Sequence, residues 1–227
     1  TLPVLSMEND QGLWTGATLN APITKKVHTR IYASPRWLDS STDFSQSILH
    51  GLLGYKFNKH FSIWQGYAYS RTYIPGLRRE HRPYNDLVYE SVFKDLEIES
   101  RIRIEERFLE DIKGAGLRIR YKLKGSYPLD KNKKWRVVLF DEIFANCNSQ
   151  NDGPQAGLDQ NRIYVGLNRK INEHFNIDGG YQLQHQHREG KNNDNLNHFV
   201  LVNLIFTLPQ LVKSTQIPKP QIKTTNN

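Results

Sequence analysis

From Leu117 to Lys124 the chain reads Leu-Arg-Ile-Arg-Tyr-Lys-Leu-Lys, with an apolar side chain at every odd position and a cation at every even one. A period of two belongs to a β-strand, whose side chains point alternately to opposite faces. The preceding run, Ile98-Glu99-Ser100-Arg101-Ile102-Arg103-Ile104-Glu105, alternates in the same way, and a helix would spread its Ile residues around most of the circumference. Further strand-like segments lie near 12–22, 26–37, 45–57, 60–73, 84–93, 134–146, 158–170, 173–187 and 196–208, which makes eleven with these two.

The connectors fall into two sets that alternate along the chain. Asn58-Lys59, Asp95-Leu96, Asp130–Lys133 and Asn172-Glu173 are short, whereas Asp39–Phe44, Pro75–Asn85, Asn148–Gly157 and Glu189–Asn195 are longer and rich in turn-forming or charged residues. Short turns at one end and long loops at the other describe an up-and-down meander, and in outer-membrane barrels the short turns face the periplasm. Single-chain bacterial barrels carry an even number of strands. A short first strand at 2–8, followed by a turn at Asn9-Asp10-Gln11-Gly12, brings the count to twelve and puts both chain ends on the periplasmic side; ten is the alternative. The expected architecture is therefore all-β: a single up-and-down antiparallel transmembrane β-barrel over 1–208, followed by a polar tail over 209–227.

Alternation alone does not say which face is inside. Strands of eleven or more residues exceed the ~5–6 common in globular proteins and suit the ~9–11 needed to cross a bilayer at a tilt. A wet lumen also accepts the many Arg, Lys, Glu and Gln residues more readily than a soluble barrel accommodates the large apolar core the opposite arrangement would need. Trp14, Trp37, Tyr55, Tyr127 and Trp135 sit near expected strand ends, where interfacial aromatic girdles form. The last strand, His198–Phe206, is apolar and ends in an aromatic, as terminal strands read by the barrel-assembly machinery do.

Composition narrows the classes. Hydrophobic residues are 37%, mean hydropathy is −0.65 and aromatics reach 11%, which excludes a helical membrane protein and argues against a disordered chain. The amino end has no basic segment followed by a greasy core, so either the protein is cytosolic or a signal has been removed. A single cysteine, Cys147, excludes an intramolecular disulfide framework and a multi-cysteine zinc site. The net charge of +8 invites a nucleic-acid reading, but the basic residues alternate along strands and mix with Glu instead of clustering with stacking aromatics.

Leu13-Trp14, Gly54-Tyr55, Gly66-Tyr67, Glu80-His81-Arg82, Arg103-Ile104-Glu105-Glu106-Arg107-Phe108, Leu117-Arg118-Ile119-Arg120-Tyr121, Tyr127-Pro128-Leu129, Asp141-Glu142, Asp159-Gln160-Asn161-Arg162 and Gly180-Tyr181 follow one another at strand-length spacing. Together they resemble the bacterial domain-of-unknown-function family DUF2490, over about residues 12 to 207. The resemblance implies a Gram-negative outer-membrane β-barrel with a cleaved signal, and so a location and a shape; it implies no reaction.

The strongest chemical constellation is a charge ladder. Glu97, Glu99, Arg101, Arg103, Glu105 and Arg107 share one face of one strand, and Arg118, Arg120, Lys122 and Lys124 share one face of the next, so antiparallel pairing sets the rows side by side on one wall. Glu90, Glu142 and Asp159 are candidates to match the surplus cations, and Arg162 adds another cation. Two uses of such a lumen charge network compete: a salt-bridged plug that stiffens a narrow barrel, or a cationic path for small anions such as phosphates and carboxylates, which the planar guanidinium fork binds bidentately. His185 and His187 have the i, i+2 spacing a metal ion uses, without a visible third ligand. Ser45, Ser47 and His50 lie on one strand, but nothing supplies an acid partner or oxyanion donors. No catalytic residue, metal site or cofactor is assigned. Expected partners are outer-membrane lipid, lipopolysaccharide at the loops, the barrel-assembly machinery and a small anionic solute. A lipid-modifying outer-membrane hydrolase and a soluble barrel for a hydrophobic ligand stand as alternatives.

Overall fold

Connectors of a few residues return each alternating segment antiparallel to the one before it, so neighbours in sequence become neighbours in the sheet. The computed structural model describes residues 8–38, 42–74, 76–151, 153–187 and 194–212. Among them are eleven strands: β1 (Glu8–Pro22), β2 (Val27–Leu38), β3 (Asp43–Lys56), β4 (Phe61–Thr72), β5 (Arg78–Phe93), β6 (Leu96–Leu109), β7 (Gly116–Pro128), β8 (Trp135–Asn146), β9 (Gly157–Lys170), β10 (Phe175–Gln186) and β11 (Asn195–Thr207). They close into one barrel. Consecutive strands are antiparallel, whereas β1 and β11 pair in parallel, with Glu8 opposite Asn195 and Asn20 opposite Thr207.

The parallel seam corrects the expected count of twelve or ten. An odd number of up-and-down strands leaves the first and last pointing the same way, and here they satisfy each other's edges in that orientation. Asn9–Gly12, expected as a turn, belongs to β1, and β1 already has a partner on both edges, so the ring has no place for a twelfth strand. Residues 2–7 lie outside the described residues. Glu8 and Thr207, the two ends of the strand ring, consequently stand at opposite rims; the chain ends beyond them lie outside the described residues.

The connectors 23–26, 57–60, 94–95, 129–134 and 171–174 gather at one rim, the short-turn rim, and β2, β4, β6, β8 and β10 end at the other, the long-loop rim. In the 129–134 turn the Asp130 carboxylate accepts the Trp135 N–H at 2.8 Å, and backbone N–H groups hold its pKa below the usual carboxylate value. Strand β5 starts at Arg78, several residues before the expected 84, so the anticipated loop over Pro75–Asn85 is short. Pro83 is the reason for the difference. It lacks an N–H, and the β5/β6 ladder skips Arg82 and Pro83 while pairing to β4 continues through Tyr67 and Pro83.

The period of two separates the faces cleanly. Leu117, Ile119, Tyr121 and Leu123 point outward with Ile102, Ile104, Leu87, Ile63, Leu139, Ile163, Val165 and Val200, all exposed. Arg118, Arg120, Lys122 and Lys124 point inward, as do Arg101, Arg103 and Glu105. Some outward polar groups find one another: Asn161 donates to Asp141, and Tyr67 and Tyr181 hydrogen-bond with His81 and His198, while Gln65, Asn85 and Glu106 stand exposed on the same face. Two Gly-Tyr pairs show how one dipeptide serves both faces. Tyr55 and Tyr67 face out, while Gly54 and Gly66 lie under inward rings, so that a Cβ there would come within 2.4 Å of Trp64 and 2.3 Å of Tyr84. Trp14 departs from its expected girdle position: it faces the lumen, is buried, and stacks on Phe199 at 4.3 Å between ring centroids.

Candidate functional site

The lumen, a cavity of about 1820 Å³, is the one large concavity that the barrel builds from chemically varied side chains. Its β5–β8 wall is a lattice of ion pairs. Adjacent inner positions on paired strands bring cation and carboxylate rows within reach, and the Arg fork fixes their geometry. Arg103 holds Asp86 through both oxygens, at 2.6 and 2.8 Å. Glu105, 0% exposed, accepts from Arg118 at 2.6 and 2.8 Å and from Arg120 at 2.7 Å. Arg120 also reaches Glu142 at 2.7 Å, and Arg101 pairs with the same carboxylate. Glu80 joins Arg82 at 2.7 Å to Arg107 at 2.6 Å. Four carboxylates, Glu80, Asp86, Glu105 and Glu142, face six guanidiniums, so every carboxylate has at least two partners and the group keeps a small positive surplus.

A bulge extends the lattice onto β9. Phe144 pairs with Gln160 and Ala145 with Leu158, which leaves Asp159 as an extra residue able to turn inward beside Gln160 and meet Arg118 at 3.1 Å. Toward the short-turn rim, Lys122 pairs with Glu99 at 2.8 Å and Arg136 with Glu97 at 3.0 Å. Glu90 stands apart from the lattice, 3.9 Å from Lys56. The sequence suggests a network of Glu97, Glu99, Arg101, Arg103, Glu105, Arg107, Arg118, Arg120, Lys122, Glu142, Asp159 and Arg162; all but Glu97, which is exposed near the short-turn rim, face the lumen or its buried lattice, and Arg162 forms no ion pair among the described residues. Missed were Glu80, Arg82 and Asp86, which fall in the stretch read as a loop or at its edge, and Arg36 on β2. Inward alternation Arg78-Glu80-Arg82-Tyr84-Asp86 was the available signal, interrupted by Pro83.

The opposite wall is made of aromatics, amides and three other guanidiniums, of which Arg30 is exposed, 5.0 Å from the Trp64 ring centroid, and donates to Asn20. Arg36 lies 3.8 Å from the Trp14 ring centroid and donates to Gln46 at 3.0 Å. Arg162 lies 5.0 Å from the same ring and 4.6 Å from Phe144, and donates to Gln184 at 2.9 Å. Arg120 packs over the Phe144 ring as well, at 4.3 Å, so cations and rings alternate across the lumen from β2 to β7. Gln182, Asn195 and Asn197, all buried, leave Nε2, Oδ1 and Oδ1 respectively without a hydrogen-bond partner.

Other candidates do not assemble. His50 faces the lumen and hydrogen-bonds with the Tyr84 hydroxyl at 3.0 Å, while Ser45, the extra residue of the β2/β3 bulge, donates to the Arg36 carbonyl at 3.2 Å. No Ser–His contact is present among the described residues. His185 and His187 both contact Asp194 at 3.0 Å at the long-loop rim, and no group of three or more metal-ligating side chains forms among the described residues. Cys147 is exposed just past the end of β8. The inner face is not uniformly polar: Leu52, Trp64, Ala68, Tyr84 and Val88 form a buried apolar cluster on β3–β5.

The family described as "Protein of unknown function (DUF2490)" matches residues 11–195, from β1 to the first residue of β11. The chain belongs to the DUF2490 family. An uncharacterized protein of Methylorubrum extorquens is 27% identical over 201 residues, 86% of each chain. Among solved structures, the siderophore receptor PirA from Pseudomonas aeruginosa aligns at 16% identity with a TM-score of 0.28, covering 74% of this DUF2490 chain and 32% of the receptor. The chain spans about a third of that receptor's length, and so loose a superposition transfers neither fold nor function.

Proposed function

We propose that this DUF2490 barrel is an integral protein of the bacterial outer membrane whose lumen is a polar compartment for small anionic solutes. The observation that carries this reading is the inversion of faces: an apolar belt outside and an ion-pair lattice within. On β7 the outward row from Leu117 to Tyr127 covers about 33 Å of strand, which at the usual tilt gives an apolar height of about 25 Å, the height of the band on outer-membrane barrels. Aromatic residues support it at both rims. Tyr55, Phe57, Phe61, Phe93, Tyr127, Trp135 and Phe206 ring the short-turn side, and Trp37, Phe44 and Tyr73 cluster on the long-loop side.

In this reading the belt contacts outer-membrane lipid, the long loops meet lipopolysaccharide, and the barrel-assembly machinery inserts the chain. The closely packed β5–β8 wall favours solute binding or narrow passage over a wide diffusion pore. Carbonate or urea washing of membranes tests the location: the protein should stay in the pellet, and unboiled samples should migrate differently from boiled ones on a gel. Complete release into the wash would overturn it. For the lumen, planar-bilayer recordings across a salt gradient should give anion-selective conductance or, for a filled waist, none; cation selectivity would contradict the anionic-solute reading.

A further inference from the structure

Small anions admitted to the lumen would find the β5–β8 guanidiniums already occupied by carboxylates. Arg36 and Arg162 differ. Among the described residues neither forms an ion pair, although Glu142 is the register partner of Arg162 across β8 and β9. The Glu142 carboxylate turns instead to Arg120 and Arg101. We propose that Arg36 and Arg162 form an oxyanion subsite beside Trp14, which takes the phosphate or carboxylate group of a small solute.

The geometry suits that ligand class. Both guanidinium carbons lie against one ring, 3.8 and 5.0 Å from its centroid, and so stand within about 9 Å of each other. One oxyanion between them can accept hydrogen bonds from both forks. A guanidinium has five N–H donors, and each fork keeps some free: Arg162 donates Nε to Gln184, while Arg36 donates Nη1 to Gln46 and Nε to Ser34 at 3.5 Å and also hydrogen-bonds with Tyr32. Stacking on Trp14 holds the planes without using those donors. A second observation points the same way: on β10, beside the strand that carries Arg162, buried Gln182 has an Nε2 with no partner. Buried amide groups are ordinarily paired, so this wall is built with hydrogen-bonding capacity that the protein itself does not use.

The subsite rests on the reading of the lumen as a compartment for anionic solutes, and its test separates the two. Folded protein in detergent is titrated calorimetrically with sodium phosphate and, separately, with sodium succinate at constant ionic strength. Saturable binding of either is expected, weakened about tenfold or more by Arg36→Gln or Arg162→Gln and unchanged within about twofold by Lys131→Gln in the exposed turn between β7 and β8. Arg36→Lys keeps the charge without the fork and should fall between wild type and Arg36→Gln. Phosphate binding alone, succinate binding alone or both would each support the subsite and assign its preference. Absence of both, or wild-type affinity in the two Gln variants, would overturn it. The gel shift on heating, measured on the same samples, reports the barrel independently: a shifting barrel that binds neither anion sinks the subsite alone, whereas a chain that washes off membranes sinks the membrane reading first.

Discussion

The two walls of the lumen use the same residue chemistry to opposite ends. On β5–β8, Arg side chains and carboxylates sit at opposed or neighbouring inner positions, and the forks close on carboxylate oxygens, Arg103 on both oxygens of Asp86 and Arg118 with two nitrogens on one oxygen of Glu105. Across the lumen, on β9 to β2, guanidiniums are held by ring stacking and single amide contacts, and several amide atoms have no partner. The first wall spends its charge on itself; the second leaves it available. A charge ladder read from sequence therefore marks the structural wall, and the candidate binding groups are the charges left outside it.

The largest effect should come from breaking the lattice. Glu105→Gln leaves Arg118 and Arg120 without the carboxylate that joins them, and losing one partner of a buried pair costs about 3–5 kcal/mol; urea unfolding of reconstituted protein should show a loss of that order. A change below about 1 kcal/mol would mean that the lattice is slack and the two walls are alike. Next comes the outer face. Leu123→Arg puts a cation near the middle of the apolar belt, where it costs roughly 2–4 kcal/mol, and should lower the heat-shifted folded fraction well below that of the neighbouring inward variant Lys122→Gln. The reverse ranking would exchange inside and outside.

On the amide wall, Gln182→Leu removes an unpartnered buried donor at nearly constant volume and should change stability by about 1 kcal/mol or less in either direction. A loss of about 2 kcal/mol or more would show that this amide is engaged and that the second wall is also self-satisfied. The smallest effect lies outside both walls. Lys94, in the two-residue turn between β5 and β6, has φ 56°. Lys94→Gly should therefore gain up to about 1 kcal/mol from relieved backbone strain, partly offset by the freer unfolded chain, and leave anion binding untouched.

Much of the barrel was legible because the alternation is nearly continuous along β6 and β7, interrupted on the apolar face of β6 only at Ser100 and Glu106. Eleven segments were visible in the pattern, and the added twelfth came from applying an even-number rule to a ring that closes through a parallel seam. Pro83 hid the first half of β5, and with it Glu80 and Arg82, the carboxylate and guanidinium that extend the lattice toward the long loops. Asp159 was legible as a residue but not as an inward one, since a bulge decides its direction. Trp14 illustrates a different limit: proximity to a strand end suggests a girdle, yet parity with Gly12 and Gly16 puts it inside. Arg36 alternates in phase with His28, Arg30, Tyr32 and Ser34, but the absence of a matching carboxylate, the property that sets it apart, is a fact about three dimensions.

The parallel contact of β1 with β11 has a consequence for how the chain can be rewired. In a barrel closed by an antiparallel pair, the first and last strands begin and end at one rim, and a tight turn could join them and let the ring be opened elsewhere. Here Glu8 and Thr207 lie a full barrel height apart, about 25 Å on the tilt used above. A covalent bridge between them would have to run through the lumen or across the lipid-facing wall. Circular permutants of this protein with short linkers are geometrically closed off, and labels fused at the two ends of the strand ring would report from opposite sides of whatever membrane it crosses.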